Sequence, residues 1–227
     1  MRNLAAAALF FLAIHFGVSG TALRARLVRA MGEKAYRGLF SLASLVGLIW
    51  LIDAYGDTPR VELWGQLLAL KPIAAPLVLL AFLFVVIGLT TPSPTVAGGE
   101  SRLSRDEPAR GIVRITRHPF LWGVALWALV HLTINGDVAS VILFGSLLVL
   151  AVGGTALIDR KRRDSFGEHW QRFALSTSNL PFAAIVGGRN QLGAALREIG
   201  IVRPLIAVAA YAVAFTMHAR VFGVPAG

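Results

Sequence analysis

Residues 114–137 read RITRHPFLWGVALWALVHLTINGD. From Pro119 to Ile134 there is no Asp, Glu, Lys or Arg. Proline suits the first position of a helix, where its missing N–H is not needed. Asn135-Gly136-Asp137 suits a tight turn. The stretch therefore predicts an apolar helix over 119–134 that starts at a basic edge and ends in a turn. It also carries His118 and His131, thirteen residues apart. That spacing turns a helix by about 220°, so the two imidazoles point to nearly opposite faces and cannot ligate one metal from a straight helix.

The rest of the chain supports a membrane reading of this helix. The 227 residues are 56% hydrophobic and 15% charged, with a mean hydropathy of +0.68, too apolar for a soluble domain. Each bilayer crossing needs roughly 17–25 apolar residues. The predicted spans are Asn3–Gly20, Gly38–Tyr55, Pro72–Thr90, Pro119–Ile134, Val138–Ile158 and Pro204–His218. The expected fold is all-α, a polytopic membrane helix bundle of about six transmembrane helices, in one domain over 1–227. The N-terminal run is read as a retained helix rather than a cleaved signal peptide, because the basic RARLVRAMGEK follows it directly.

Charge orients the spans. With six crossings, loops 21–37, 91–118 and 159–203 share one side and hold five, five and eight Lys or Arg, 18 of the 22 in the chain. The positive-inside rule makes that side cytoplasmic and puts both termini on the other. The surplus of 22 Lys+Arg over 12 Asp+Glu is explained by these loops, so no nucleic-acid partner is expected. There is no cysteine, which removes disulfides, thiolate zinc sites and iron–sulfur clusters. Segment 159–173, DRKRRDSFGEHWQRF, reads as a basic, aromatic interfacial helix, and NQLGAALREIG as a second surface helix. TPSPTVAGGESR should be irregular.

His15 and His131 fall inside apolar spans, where an ionisable side chain usually faces the bundle interior. They are read either as neutral rings bonded to a backbone carbonyl or as ligands. Haem suits the second reading, because imidazole is a good iron ligand and a haem between helices needs only one or two histidines. Trp127 and Ala128 share a helical face with His131. By depth, His131 pairs more easily with His218 than with His15. His118, beside Arg117 at a helix start, is read either as part of an anion or headgroup site or as an interfacial cap.

These motifs together resemble the NnrU family: RITRHPFLWGVALWALVHLTINGD, HFGVSG before it, IDRKRRDSFGEHW after it, with GEKAYRGLFSLASLVGLIWLIDAYG, TPSPT and TSNLPFAAIVGGR. The resemblance covers nearly the whole chain. It implies a bacterial inner-membrane protein linked to denitrification, in nitrite and nitric oxide reduction. The 15-cis-zeta-carotene isomerases look like relatives. That likeness implies haem b, with axial ligand roles at His15 and His131, and a hydrophobic small-molecule substrate. Those isomerases have a Cys three residues before the second His, where this chain has Ala128. RHP followed by Gly123 and FGEHW also resembles isoprenylcysteine carboxyl methyltransferases, which would assign S-adenosylmethionine to Arg117 and His118. Of their downstream acidic pair only Asp159 is matched, with Ile158 in the first position. A third expectation is a non-enzymatic accessory protein for nitric oxide reductase, with a membrane partner protein.

Overall fold

The computed structural model describes residues 1–227 apart from Ala97, Asp106, Pro225 and Gly227. The helices are α1 (Arg2–Leu12), α2 (Ala22–Met31), α3 (Glu33–Gly56), α4 (Lys71–Thr90), α5 (Pro119–Asn135), α6 (Val138–Ser176), α7 (Ala183–Val186), α8 (Leu192–Ile199) and α9 (Val202–Phe222). No strand forms among the described residues, so the fold is all-α. The α1 segment with its extension to Ser19, and α3, α4, α6 and α9 are long and apolar enough to cross a membrane; α5, with 17 residues, is a shorter apolar helix. This is a multi-pass membrane protein.

The surface fits a lipid environment. On α3, Leu42, Leu45, Ile49 and Ile52 recur at helical spacing and are all exposed. A stripe of that kind in water would be an aggregation surface; in a bilayer it is the lipid face. The opposite face of α3 buries Tyr36, Gly47, Leu51 and Ala54.

Chain packing forms two compact units, 1–68 with 131–150, and 69–130 with 151–227. In the first, α1 lies against α3. Asn3 accepts a 2.9 Å hydrogen bond from the Trp50 indole, and Phe10 packs near the same ring. After Leu12 the helix widens into a π-helix, Ala13–Ser19. Such turns are rare and concentrate at functional positions. The turn after α5 is more than a linker. The Gly136 carbonyl accepts from the backbone N–H groups of Leu63, Trp64 and Gly65. Asp137 caps α6 by accepting from Ser140 N at 2.9 Å, and pairs with Arg60 at 3.4 Å.

In the second unit, α4 packs on α9, and α8 packs on a short 3-10 helix, Gly111–Arg114. Phe84, Ile87, Ile112, Ile115, Ala195 and Ile199 form one core cluster. At Gly123 a Cβ would meet Val85 Cγ2 at 2.7 Å and the Ala81 carbonyl at 2.8 Å, so glycine permits the close approach of α5 to α4.

One expectation changes here. The fifth span was to stop at Ile158, with an interfacial helix opening at Asp159. Instead the helix from Val138 runs on past the arginines and breaks at Gly167, where φ is +46° and ψ −118°, and a second, short helix follows to Ser176. After the break, Trp170 and Phe173 are buried with Leu103, Ala109 and Val113, and Phe166, just before it, packs against the same cluster. Between α4 and α5 the chain makes 3-10 turns at Glu100–Ser104 and Gly111–Arg114, and Ser93, Pro94, Thr95 and Thr116 are buried.

Candidate functional site

Helix α5 begins where the chain collects its buried charge. His118 is 3% exposed, and its Nε2 lies 2.6 Å from Asp159 Oδ1. Arg117 approaches the same carboxylate side-on, with Nη2 donating to Oδ2 at 2.6 Å and Nε to Oδ1 at 3.3 Å. Asn179 Nδ2 donates to Oδ2 at 3.1 Å. One aspartate thus accepts from three side chains, and the arginine–carboxylate contact is the two-toothed kind that fixes both planes.

The supports of this cluster come from the loop after α6. Arg117 Nη1 lies 3.4 Å from Thr177 Oγ1, and the guanidinium stacks 5.5 Å from the Trp170 ring. Its own backbone is held at both ends: the N–H donates to the Ser178 carbonyl at 2.9 Å, and the carbonyl accepts from Thr95 Oγ1 at 2.6 Å. The Asn179 carbonyl accepts from the Thr116 hydroxyl and from the Trp122 indole at 2.8 Å. Phe182, at φ +65°, is the only non-glycine residue with positive φ among those described, and its N–H donates to the Ile115 carbonyl. A strained residue held by such bonds marks a loop whose path is over-determined by its surroundings.

Burial pushes the His118 imidazole below its ordinary value, helped by the Arg117 charge and opposed by the Asp159 carboxylate. A neutral ring facing a carboxylate must donate, so Nε2 carries the proton. The expected anion at Arg117 and His118 is therefore met by the protein's own carboxylate. Arg117 and Asp159 bring one formal positive and one formal negative charge together at this point in the fold.

The other histidines are organised differently. His15 lies in the π-helical turn of the first unit. Its Nδ1 is 2.7 Å from the Phe11 carbonyl, and its ring meets Phe11 and Phe40 edge-on at 4.6 and 5.3 Å. A carbonyl only accepts, so Nδ1 carries the proton and the Nε2 lone pair is left as acceptor or ligand. Phe40 stacks on Tyr36, whose buried hydroxyl has no hydrogen-bond partner among the described residues. His131 belongs to the same unit, half-buried, with its ring 5.1 Å from Phe144. His218 belongs to the second unit, on α9, with Nδ1 2.6 Å from the Val224 carbonyl. Among the described residues, no three His, Asp or Glu side chains converge as a metal-ion site.

The family profile described as NnrU protein matches residues 3–226. The chain belongs to the NnrU family. The match runs through both compact units and includes His15, Arg117, His118, His131 and Asp159. Two relatives are similar to this NnrU chain. The chloroplastic 15-cis-zeta-carotene isomerase of Zea mays is 29% identical over 191 residues, covering 81% of the chain and 50% of that protein. The chloroplastic 15-cis-zeta-carotene isomerase of Arabidopsis thaliana is 30% identical over 192 residues, with the same coverage. The chain spans about half the length of these relatives. No solved structure matches it.

Sequence reasoning singled out Arg117 and His118, and took Asp159 both as the charged end of a span and as one half of an acidic pair, but it missed Thr177 and Asn179 as their partners. Their only local signal is polarity in a chain where polarity is scarce: TSN directly before an apolar LPFAAIV.

Proposed function

We propose that this NnrU protein is a haem-b-binding protein of the bacterial inner membrane, with both termini non-cytoplasmic, that isomerises a hydrophobic small molecule. His15 and His131 are the proposed iron ligands. The observation that carries the reading is the His15 hydrogen bond. Metal-ligating histidines generally donate their second ring N–H to a carbonyl or carboxylate, which sets the tautomer and aims the free nitrogen. His15 has that arrangement inside a π-helical turn, with its free Nε2 among the aromatic rings of the first unit rather than beside a charged cluster.

The donor set fits the group. Haem needs one or two imidazoles and apolar walls, and the first unit supplies His15 and His131 with Phe11, Phe40 and Phe144 beside them. The unpaired Tyr36 hydroxyl in that unit adds a buried donor for a polar edge of a ligand. His15 and His131 belong to one compact unit, which favours this pair over His131 with His218. When bound, haem would supply a redox-active iron, which His15 and His131 would hold. The residues of this chain orient the imidazoles, keep water from them and present an apolar wall to the substrate.

The reaction class rests on the isomerase names of the relatives, and the nitrite and nitric oxide setting rests on the family resemblance. The asymmetric basic loops, with 18 of 22 cationic residues on one side of a six-span layout, support the orientation. Arg117 and His118, the residues that a methyltransferase reading would assign to S-adenosylmethionine, are engaged here with Asp159.

The test is the optical spectrum of the detergent-purified protein expressed with haem supplied. A Soret band is expected. His15→Ala and His131→Ala should each lower the haem content, while His218→Ala should leave it unchanged. A protein with no Soret band overturns the reading. Co-purification with nitric oxide reductase, with neither haem nor turnover, would move the assignment to an accessory protein.

A further inference from the structure

Behind the Arg117–Asp159 pair, the second unit has an open cleft of about 370 Å³ lined by Arg117, Arg163, Trp170, Gln171, Ala174, Leu175 and Arg189. Three of its seven residues are arginines and none is acidic. Only the Arg117 charge is answered, by Asp159 at 2.6 Å. Arg189 Nη1 donates to the carbonyls of Leu175 at 3.0 Å and Thr177 at 2.9 Å at the end of α6, partners without formal charge. Arg163 makes no ion pair among the described residues. The cleft therefore presents about two unanswered positive charges, one of them held in place by backbone oxygens before any ligand arrives. Such preorganisation lowers the cost of ordering on binding.

Depth says what kind of anion would meet these charges. The apolar run of α6 ends at Ile158, and Arg163 follows five residues later, roughly 7.5 Å further along the helix. That distance reaches from the hydrocarbon edge into the headgroup layer. Leu175, at the lip of the cleft, is 71% exposed, so an apolar side chain stands beside the cations.

We propose that this cleft holds the phosphate of an anionic phospholipid headgroup, with Arg163 and Arg189 facing the phosphate and Leu175 facing an acyl chain. The site is separate from the proposed haem ligands and is tested without haem. Guanidinium groups suit phosphate oxygens geometrically as well as by charge. Free phosphate would satisfy the same cations but would gain nothing from Leu175.

The experiment is native mass spectrometry of the detergent-purified full chain titrated with phosphatidylglycerol, phosphatidylcholine or inorganic phosphate. Phosphatidylglycerol should bind more tightly than phosphatidylcholine. Arg163→Gln should weaken phosphatidylglycerol by about fivefold, and Arg163→Gln with Arg189→Gln by about 25-fold, as expected for cations near an anionic surface. Arg163 is exposed and makes no ion pair among the described residues, so the single variant decides the matter even if removing Arg189 loosens the end of α6. Competition by millimolar inorganic phosphate would keep the phosphate site and assign it to the free anion. Equal binding of the two lipids, or unchanged phosphatidylglycerol binding in Arg163→Gln, would overturn the proposal.

Discussion

His118 and His15 are each ordered by one short hydrogen bond, and the two bonds leave opposite nitrogens available. His118 directs Nε2 into a carboxylate that Arg117 and Asn179 also hold. His15 ties Nδ1 to a carbonyl of its own helix and leaves Nε2 to whatever comes near. The first ring sits in a closed network that joins α5, α6 and the 177–182 loop. The second sits among aromatic edges, near a buried tyrosine hydroxyl that has no partner. Polar residues that satisfy one another inside a membrane protein hold the fold together; those satisfied on one side only are where a ligand fits.

The sharpest way to break this comparison is at Asp159. Removing one member of a buried pair leaves its partners uncompensated, at about 3–5 kcal/mol. Asp159→Ala should lower stability by that amount in detergent unfolding, while Asp159→Asn, which keeps the shape of the acceptor, should lose less. A loss below about 1 kcal/mol for the alanine variant would mean that the cluster is not structural.

A second ion pair calibrates the first. Arg114 donates to Glu198 at 2.8 Å, and the Gly111 N–H donates to the same carboxylate at 2.6 Å. The Arg114 hydrogen bonds, with the Gly111 N–H, hold the Glu198 carboxyl down to about 2. The folded state binds its proton less readily than the unfolded chain. Its contribution is therefore complete above about pH 4.5 and is lost as pH falls from there toward 2. Because the carboxylate is partly open to water and screened, Glu198→Gln should cost no more than about 1 kcal/mol at pH 7. The gap from the parent should stay constant down to pH 5 and then narrow. A gap that widens on acidification would reverse the sign of this linkage.

The smallest expected effect on stability is at His15. Its hydrogen bond is local to one helix, and its ring contacts are edge contacts, so His15→Ala should cost less than about 1 kcal/mol. If its unfolding matched that of Asp159→Ala, the distinction between a structural and a ligand-type histidine would collapse. A small stability loss together with a large loss of haem would sharpen it.

The sequence alone determined the all-α class, the approximate positions of six apolar helices and the basic-loop asymmetry, because hydropathy and charge act through neighbours on the same segment. It also identified Arg117, His118, His15 and His131 as unusual, since ionisable groups within or beside apolar runs are costly wherever they point. Tertiary structure decided what each of them does. Asp159 looked like the charged end of a span, but it lies 41 positions along the chain from His118 and accepts its proton-bearing nitrogen. The charged run stayed helical as far as Gly167, and Phe166, Trp170 and Phe173, on either side of that break, found a common core. The π-helical turn around His15 has no local signature that separates it from ordinary helix. Partnerships of this kind depend on which distant side chain arrives with the complementary donor or charge, and that is settled by packing.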